Sequence, residues 1–391
     1  MTAIDTTPAQ DNAGTAPRMS LADARAAFPL TERLTYLDVA SRAPMSDQVM
    51  AALERYQHIY RTQPLPKYDW LDEVERVRGR VARLLRAEPC EVAFVKATSD
   101  GVNQVAHALD LEPGDEVIIC PEIEHTNNVY PWLHLQERGI ELTMLEAIDH
   151  AFPVETLADR ISERTRVVAL SAVSFVTGAR ADLRAIADLC DAHGAFLMID
   201  GVQDLGSRVL DLPASGVGAL AAATQKMLLS SYGFGVLYLR QELAEQMRPP
   251  FLTRMGVAWG DGHESDLSTE YRFAPGAIRF EVGNPNFAGL FALDGSLELL
   301  EAVGLDVIEA HISRLTRRLL DGLDELGLTV LTPRDAHGAL AVFQPADVDV
   351  VAARLADADV CVAVRRGGIR ASVHVFNDDS DVDRLLDVLA N

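Results

Sequence analysis

Lysine is almost missing from this sequence. Its 391 residues include 35 basic ones, yet the lysines are only Lys67, Lys96 and Lys226, and arginine supplies the rest. Cysteine is scarce as well. Cys90, Cys120, Cys190 and Cys361 are scattered, with no CxxC or metal-ligand spacing, which argues against a disulfide framework or a zinc site and for a reducing, cytoplasmic compartment. No apolar run approaches the roughly 20 residues that cross a bilayer. The 58 acidic residues outnumber the basic ones and leave a formal net charge of -23. That balance argues against nucleic acid or an anionic membrane as partner. The first 18 residues are mostly Thr, Ala, Pro, Gln, Asp and Gly without a hydrophobic signal core, so a disordered lead-in is expected over 1–18.

The chain is organised around the stretch 195–226. The apolar run 195–199 ends in Asp200, followed by Gly201, Val202 and Gln203. About two dozen residues further on lie Ala223, Thr224, Gln225 and Lys226, and a second apolar run covers 236–239. An acid at the end of a buried strand is costly without a cation or hydrogen bonds. Lys226 is the one lysine in a polar turn between apolar segments. An acid and a lone lysine so disposed are what pyridoxal 5'-phosphate (PLP) chemistry requires. The carboxylate keeps the pyridine nitrogen protonated, so that the ring draws electrons, and the lysine forms a Schiff base. Burial beside a cation lowers a lysine's pKa and prepares it for proton transfer.

Elsewhere the pattern alternates. Apolar strands read at 91–95, 116–120, 141–145, 166–173, 195–199 and 235–239, with helices at about 99–109, 127–137, 154–162 and 181–192. Two earlier helices follow Ser46-Asp47 and cover 71–86. The alternation predicts an α/β fold, a mostly parallel sheet with helices on both faces. Ligands of such sheets collect beyond the carboxyl ends of the strands. Thr98, His125, Asp200 and Lys226 all follow apolar runs. The segment 241–280 reads as irregular, and 287–326 as a long helical stretch. A smaller α+β unit then closes the chain, giving an arm over 19–45, a large domain over 46–285 and a small one over 286–391.

Thr98 and Ser99 open a helix after a strand, where free N–H groups and hydroxyls either cap the helix or bind phosphate. His125 is either a structural hydrogen bonder or an imidazole lying on the cofactor ring, able to assist proton transfer. Gln203 is suited to the ring hydroxyl, and Thr224 and Gln225 flank the lysine. Arg370, in a predicted strand of the small domain, is either a solvent-facing arginine or a bidentate clamp for a substrate carboxylate.

Taken in order, these segments resemble the class V aminotransferase family of fold-type I PLP enzymes, the group of cysteine desulfurases, isopenicillin N epimerase-like proteins and C–S lyases. The resemblance runs from about Tyr36 to the C-terminus. It rests on Tyr36-Leu37-Asp38, Thr98-Ser99, Glu124-His125, Asp200-Gly201-Val202-Gln203, Gln225-Lys226, the segment from Arg279 to Asn286, and Arg370-Ala371-Ser372. It implies a phosphate site at Thr98 and Ser99, a stacking His125 and an Asn284 phosphate contact supplied across a homodimer.

Departures from the desulfurase pattern bear on function. Desulfurases carry a nucleophilic cysteine on a loop before Arg-Ala-Ser, whereas here Val364-Arg365-Arg366-Gly367-Gly368 runs straight into Ile369. Gln225 replaces a histidine, Asn284 a threonine and Phe175 an asparagine. Thr126, Asn127, Ser41 and Arg42 also differ, which implies a different substrate pocket. The expected activity is C–S β-elimination of a cysteine conjugate, the substrate amine displacing Lys226 from the cofactor aldehyde. Transamination or amino-acid epimerisation is the alternative. Intact Lys226 and Asp200 argue against a non-catalytic binding protein of this fold.

Overall fold

The computed structural model describes residues 18–64, 67–258 and 269–391. Apart from Arg18, the lead-in expected over 1–18 lies outside the described residues, as do 259–268 of the segment read as irregular.

The main sheet has seven strands: β1 Val92–Val95, β2 Glu116–Ile119, β3 Glu141–Met144, β4 Thr165–Ser171, β5 Phe196–Asp200, β6 Ala219–Ala223 and β7 Gly235–Leu239. Their order is β1-β7-β6-β5-β4-β2-β3. Only β7 runs against its neighbours β1 and β6, and the other adjacent pairs are parallel. Val, Ile and Leu fill both faces of β2, β4 and β5, as expected for strands covered on both sides. Helices α1 Thr98–Ala108 and α2 Leu183–His193 provide two of the crossovers.

Strand β6 went unread because its sequence, Ala-Leu-Ala-Ala-Ala, has the composition of a helix. Its small side chains serve close packing instead. A Cβ on Gly101 of α1 would lie 2.8 Å from Ala221 Cβ, so both positions must stay small for the helix to sit on the sheet. The segment 241–280 also holds more structure than expected, with a helix at Gln241–Gln246 and tight turns at Arg254–Gly256 and Gly276–Phe280.

The long helical stretch is two helices, α3 Phe287–Val303 and α4 Leu305–Glu325. They part at Gly304, whose φ of +93° lies in the left-handed region that favours glycine. Helix α3 packs on Asp47–Thr62, and Gly295 allows the approach, because a Cβ there would meet Gln48 O at 2.5 Å. A second, antiparallel sheet of β8 Thr329–Val330, β9 Leu340–Gln344, β10 Ala363–Arg365 and β11 Gly368–Ser372 is ordered β10-β11-β9-β8. The arm strand Thr35–Tyr36 pairs with Val360–Cys361, and Ser372 N–H donates to Leu37 O at 2.8 Å. Arm and small sheet are thereby tied together beside the carboxyl ends of β1, β4, β5 and β6.

Gly206 is where the segment after Asp200 meets the segment after Lys226. Its φ is +106°, and a Cβ would fall 2.2 Å from Met227 O. Gly206→Ala is therefore expected to destabilise the protein by about 2–4 kcal/mol. A lower urea midpoint, with cofactor affinity reduced in parallel, is the outcome to measure.

Candidate active site

Lys226 sits in a turn whose carbonyls are held from several directions. Ala43 N–H donates to Gln225 O at 2.8 Å and Leu229 N–H to Lys226 O at 2.8 Å. His374 Nε2 donates to Met227 O at 3.1 Å, and Ser296 Oγ to Leu228 O. These donors come from the arm, the turn itself, the segment after β11 and helix α3. His374 is fully buried, and its Nδ1 accepts from Val375 N–H at 2.8 Å. Burial pushes its pKa down to about 3, so it acts as a neutral, fixed donor. Thr224 is also fully buried, and its hydroxyl braces the turn, 2.8 Å from Ser231 O and 3.1 Å from Phe234 O. Gln225 is only partly buried.

Asp200 ends β5 and is 3% exposed. Its Oδ1 accepts from Val202 N–H at 3.0 Å. Burial pushes its pKa up to about 6, against the pull of that hydrogen bond and of the Lys226 charge. The converse holds for the lysine. Desolvation pulls Lys226 down to about 8, with Arg370 and Arg365 adding to the effect and Asp200 opposing it. For both groups burial outweighs their mutual attraction, and each is drawn toward neutrality.

Around this pair the expected residues gather. Thr98 opens α1, and its Oγ1 accepts from Ala223 N–H at 2.9 Å, joining the helix start to the lysine turn. No side chain caps that helix, so the N–H groups of Thr98 and Ser99 lack intrahelical acceptors. Gln203 Nε2 donates to Ala40 O at 2.9 Å, while its Oε1 is buried without a partner. His125 accepts from Asn127 N–H at Nδ1, 3.1 Å away, which puts the ring proton on Nε2. Burial and the nearby Lys226 and arginine charges lower its pKa. Its ring meets Phe175 edge-on with centroids 4.9 Å apart.

Arg370 is 2% exposed. It donates to Ser41 Oγ at 2.7 Å, to Phe175 O at 3.2 Å and to Asp38 Oδ1 at 3.4 Å, while its Nε has no partner. Arg42, in contrast, is exposed, and its charge acts on the Tyr36 phenol and Cys361 thiol. Asn284 is exposed too. It accepts from Arg254 and lines, with Ser99 of the same chain, a cavity of about 720 Å³. The neighbouring Arg279 and Glu281 are buried anchors. Arg279 donates to the carbonyls of Ala274 and Ala244, and Glu281 accepts from Arg78 at 2.6 Å and from Phe94 N–H at 2.8 Å.

Three features escaped the sequence reading. Glu124 is 1% exposed and accepts from Ser171 N–H at 2.6 Å, Ser171 Oγ at 2.7 Å and Asn128 Nδ2 at 3.0 Å. Burial first, and the Asp200 charge with it, push its pKa up to about 8, and it fixes the backbone just before His125. Glu124 was visible beside His125, yet nothing local marks it as buried. The other two are the His374 clamp and the arginine pair Arg365–Arg366, whose partners come from elsewhere in the chain.

The residues present fit PLP. The unclaimed N–H groups of Thr98 and Ser99 could hold its phosphate, and the orphaned Gln203 Oε1 could accept from its ring hydroxyl. Asp200, short of positive charge, could face a protonated ring nitrogen, and the softened Lys226 amine could take the aldehyde. Fold and site together define a fold-type I PLP-dependent enzyme.

The aminotransferase class-V family model matches residues 35–385, and the chain belongs to that family. It is 30% identical to a cysteine desulfurase of Salmonella choleraesuis, over 93% of this chain and 95% of the other. The solved apo cysteine desulfurase of Thermococcus onnurineus superposes with a TM-score of 0.87 at 26% identity, covering 96% of this chain and 98% of that one. The cystine C–S lyase C-DES, solved with cysteine persulfide, has the same fold (TM-score 0.85, 21% identity, coverage 93% and 99%).

Asp200 makes the apoprotein's stability depend on pH. Its folded pKa of about 6 lies above the ordinary 3.8, so ionisation favours the unfolded chain once pH exceeds the unfolded value. The penalty is full above pH 6 and vanishes below about 4. Asp200→Asn should therefore stabilise the apoprotein at pH 8 by up to about 3 kcal/mol and have almost no effect near pH 4. Urea titrations of both apoproteins at the two pH values check this.

Proposed function

We propose that the protein is a PLP-dependent lyase that breaks the Cβ–S bond of S-substituted cysteines, releasing a thiol, pyruvate and ammonia. The observation that carries this reading is the turn between β10 and β11. Val364 pairs with Ile369 and Arg365 with Gly368, leaving a two-residue loop of Arg366 and Gly367 with φ of 46° and 77°, a tight hairpin geometry. Cysteine desulfurases carry their sulfur-accepting cysteine on a loop at this place. Cys361, the nearest cysteine in sequence, lies on the strand paired with Tyr36, and burial and the Asp38 charge raise its thiol pKa. A thiol so held is a poor sulfur acceptor, and the sulfur is expected to leave as a free thiol.

When bound, the cofactor supplies a sink for the electron pair left at Cα. Thr98 and Ser99 would hold its phosphate end, Asp200 would keep its ring nitrogen protonated, Gln203 would meet its ring hydroxyl and His125 would cover a ring face. Arg370 grips the α-carboxylate. Lys226, its pKa already lowered, removes the Cα proton near neutral pH. The clamp on its turn aims the amine. A homodimer is supported by the exposed Phe251 and Val282, which line the cavity shared by Ser99 and Asn284. A reducing, cytoplasmic setting is supported by the four unpaired cysteines. Among the described residues no helix is long and apolar enough to cross a membrane.

Two measurements test the reading. Lys226→Ala should remove the long-wavelength absorbance of the lysine-bound cofactor and reduce turnover at least about 1000-fold. Incubation with S-substituted cysteines should yield pyruvate, ammonia and thiol in equal amounts without added acceptor. Keto acid formed only when an acceptor keto acid is supplied would replace the lyase by an aminotransferase, and loss of optical activity without pyruvate would indicate an epimerase.

A further inference from the structure

We propose that the hairpin arginines Arg365 and Arg366 form a second anion-binding subsite at the mouth of the catalytic site, so that the substrate bears an acidic group on its side chain beyond its α-carboxylate. The proposal rests on the reading that the site takes an amino acid whose α-carboxylate meets Arg370.

The hairpin has lost the length for a mobile loop and presents two guanidiniums instead. Arg366 reaches across to the backbone that carries His125. It donates to Glu122 O and, at 3.2 Å, to Glu124 O, and its Cζ lies 5.7 Å from the centre of the Phe175 ring. That same ring meets His125 edge-on. Arg365 donates to Ser41 Oγ at 3.3 Å, the oxygen that also accepts from Arg370 at 2.7 Å. One neutral hydroxyl thus sits between two guanidiniums.

The two side chains are exposed, and all their hydrogen bonds in the structure go to carbonyl or hydroxyl oxygens. Among the described residues neither has a carboxylate within ion-pair distance. In a chain with 58 acidic residues, arginines such as Arg76, Arg80 and Arg318 are ion-paired. The nearby acids are otherwise engaged: Asp38 faces Arg370, and the Glu124 carboxyl is turned inward to Ser171 and Asn128. The charges of both arginines are felt at His125, and that of Arg365 at Lys226. This is a local excess of positive charge beside the reacting atoms, with fork-shaped donors suited to a carboxylate or sulfonate. A charged group two or three bonds beyond the sulfur of a cysteine conjugate suits such a mouth.

The test uses the holoenzyme and a matched pair, S-(2-carboxyethyl)-L-cysteine and its uncharged amide S-(2-carbamoylethyl)-L-cysteine. Dissociation constants are read from the change in cofactor absorbance on mixing, and turnover from pyruvate. The acid should bind about tenfold more tightly than the amide. Arg365→Gln with Arg366→Gln should bring the ratio to near one, while the corresponding pair of lysine substitutions retains part of the preference. Thermal melts and cofactor content of each variant separate this from misfolding. An equal affinity of the wild type for both compounds, or a preference unchanged by the glutamine substitutions, would overturn the proposal. If both compounds bind but neither gives pyruvate, the lyase reading fails while the affinity ratio still decides the subsite.

Discussion

Removing an amine and a carboxylate from water in the same cleft is the constraint around which this protein is built. Desolvation drives Asp200 up to about 6 and Lys226 down to about 8, and their attraction for each other does not reverse either shift. A site in that condition is poorly satisfied by itself. It is a good receptor for a cofactor whose ring nitrogen brings a positive charge to the acid and whose aldehyde consumes the amine. The cost of holding the pair is met by the rest of the fold. Strand β5 delivers the acid, the β6–β7 turn delivers the amine, and Gly206 lets the two segments close together.

Clamping the lysine turn also explains why arm and C-terminal sheet are needed for chemistry on the main sheet. Ala43 and His374 reach the carbonyls of Gln225 and Met227 from opposite ends of the sequence. Each donor gives a carbonyl of this turn the partner that a buried backbone group requires. The neutral state of His374 suits that purpose, since a charged imidazole would add another cation to a cleft that already holds three arginines and a lysine.

Much of the fold was legible because β-branched and leucine-rich strands alternate with helical stretches, and that pattern belongs to the local sequence. Strand β6 was not, since its alanines are chosen for what α1 needs rather than for strand propensity. The site divides in the same way. Asp200, Lys226, Thr98 and Gln203 were readable because each follows a strand in a segment of recognisable composition. Glu124 and His374 owe their properties to burial by partners tens to hundreds of residues away, which no local window contains. Arg365 and Arg366 were visible as a missing loop; their convergence with Ser41 and Phe175 depends on how the two sheets meet.

The scarcity of lysine takes on meaning against this background. Arginine stays protonated at any pH the protein will meet, so it adds field without offering an amine. Arg365, Arg366 and Arg370 can therefore crowd the cleft without competing for an aldehyde, and Arg370 and Arg365 lower the pKa of Lys226 as they do so. A lysine at any of those positions would be a second amine beside the cofactor, its own pKa lowered by the same neighbours. Of the described lysine side chains, Lys96 stays in solvent and Lys226 is drawn into the site. One softened amine among fixed guanidiniums gives the cofactor a single point of attachment. In an acidic protein of net charge -23, the excess of positive charge around Lys226 is a local feature that favours anionic molecules there.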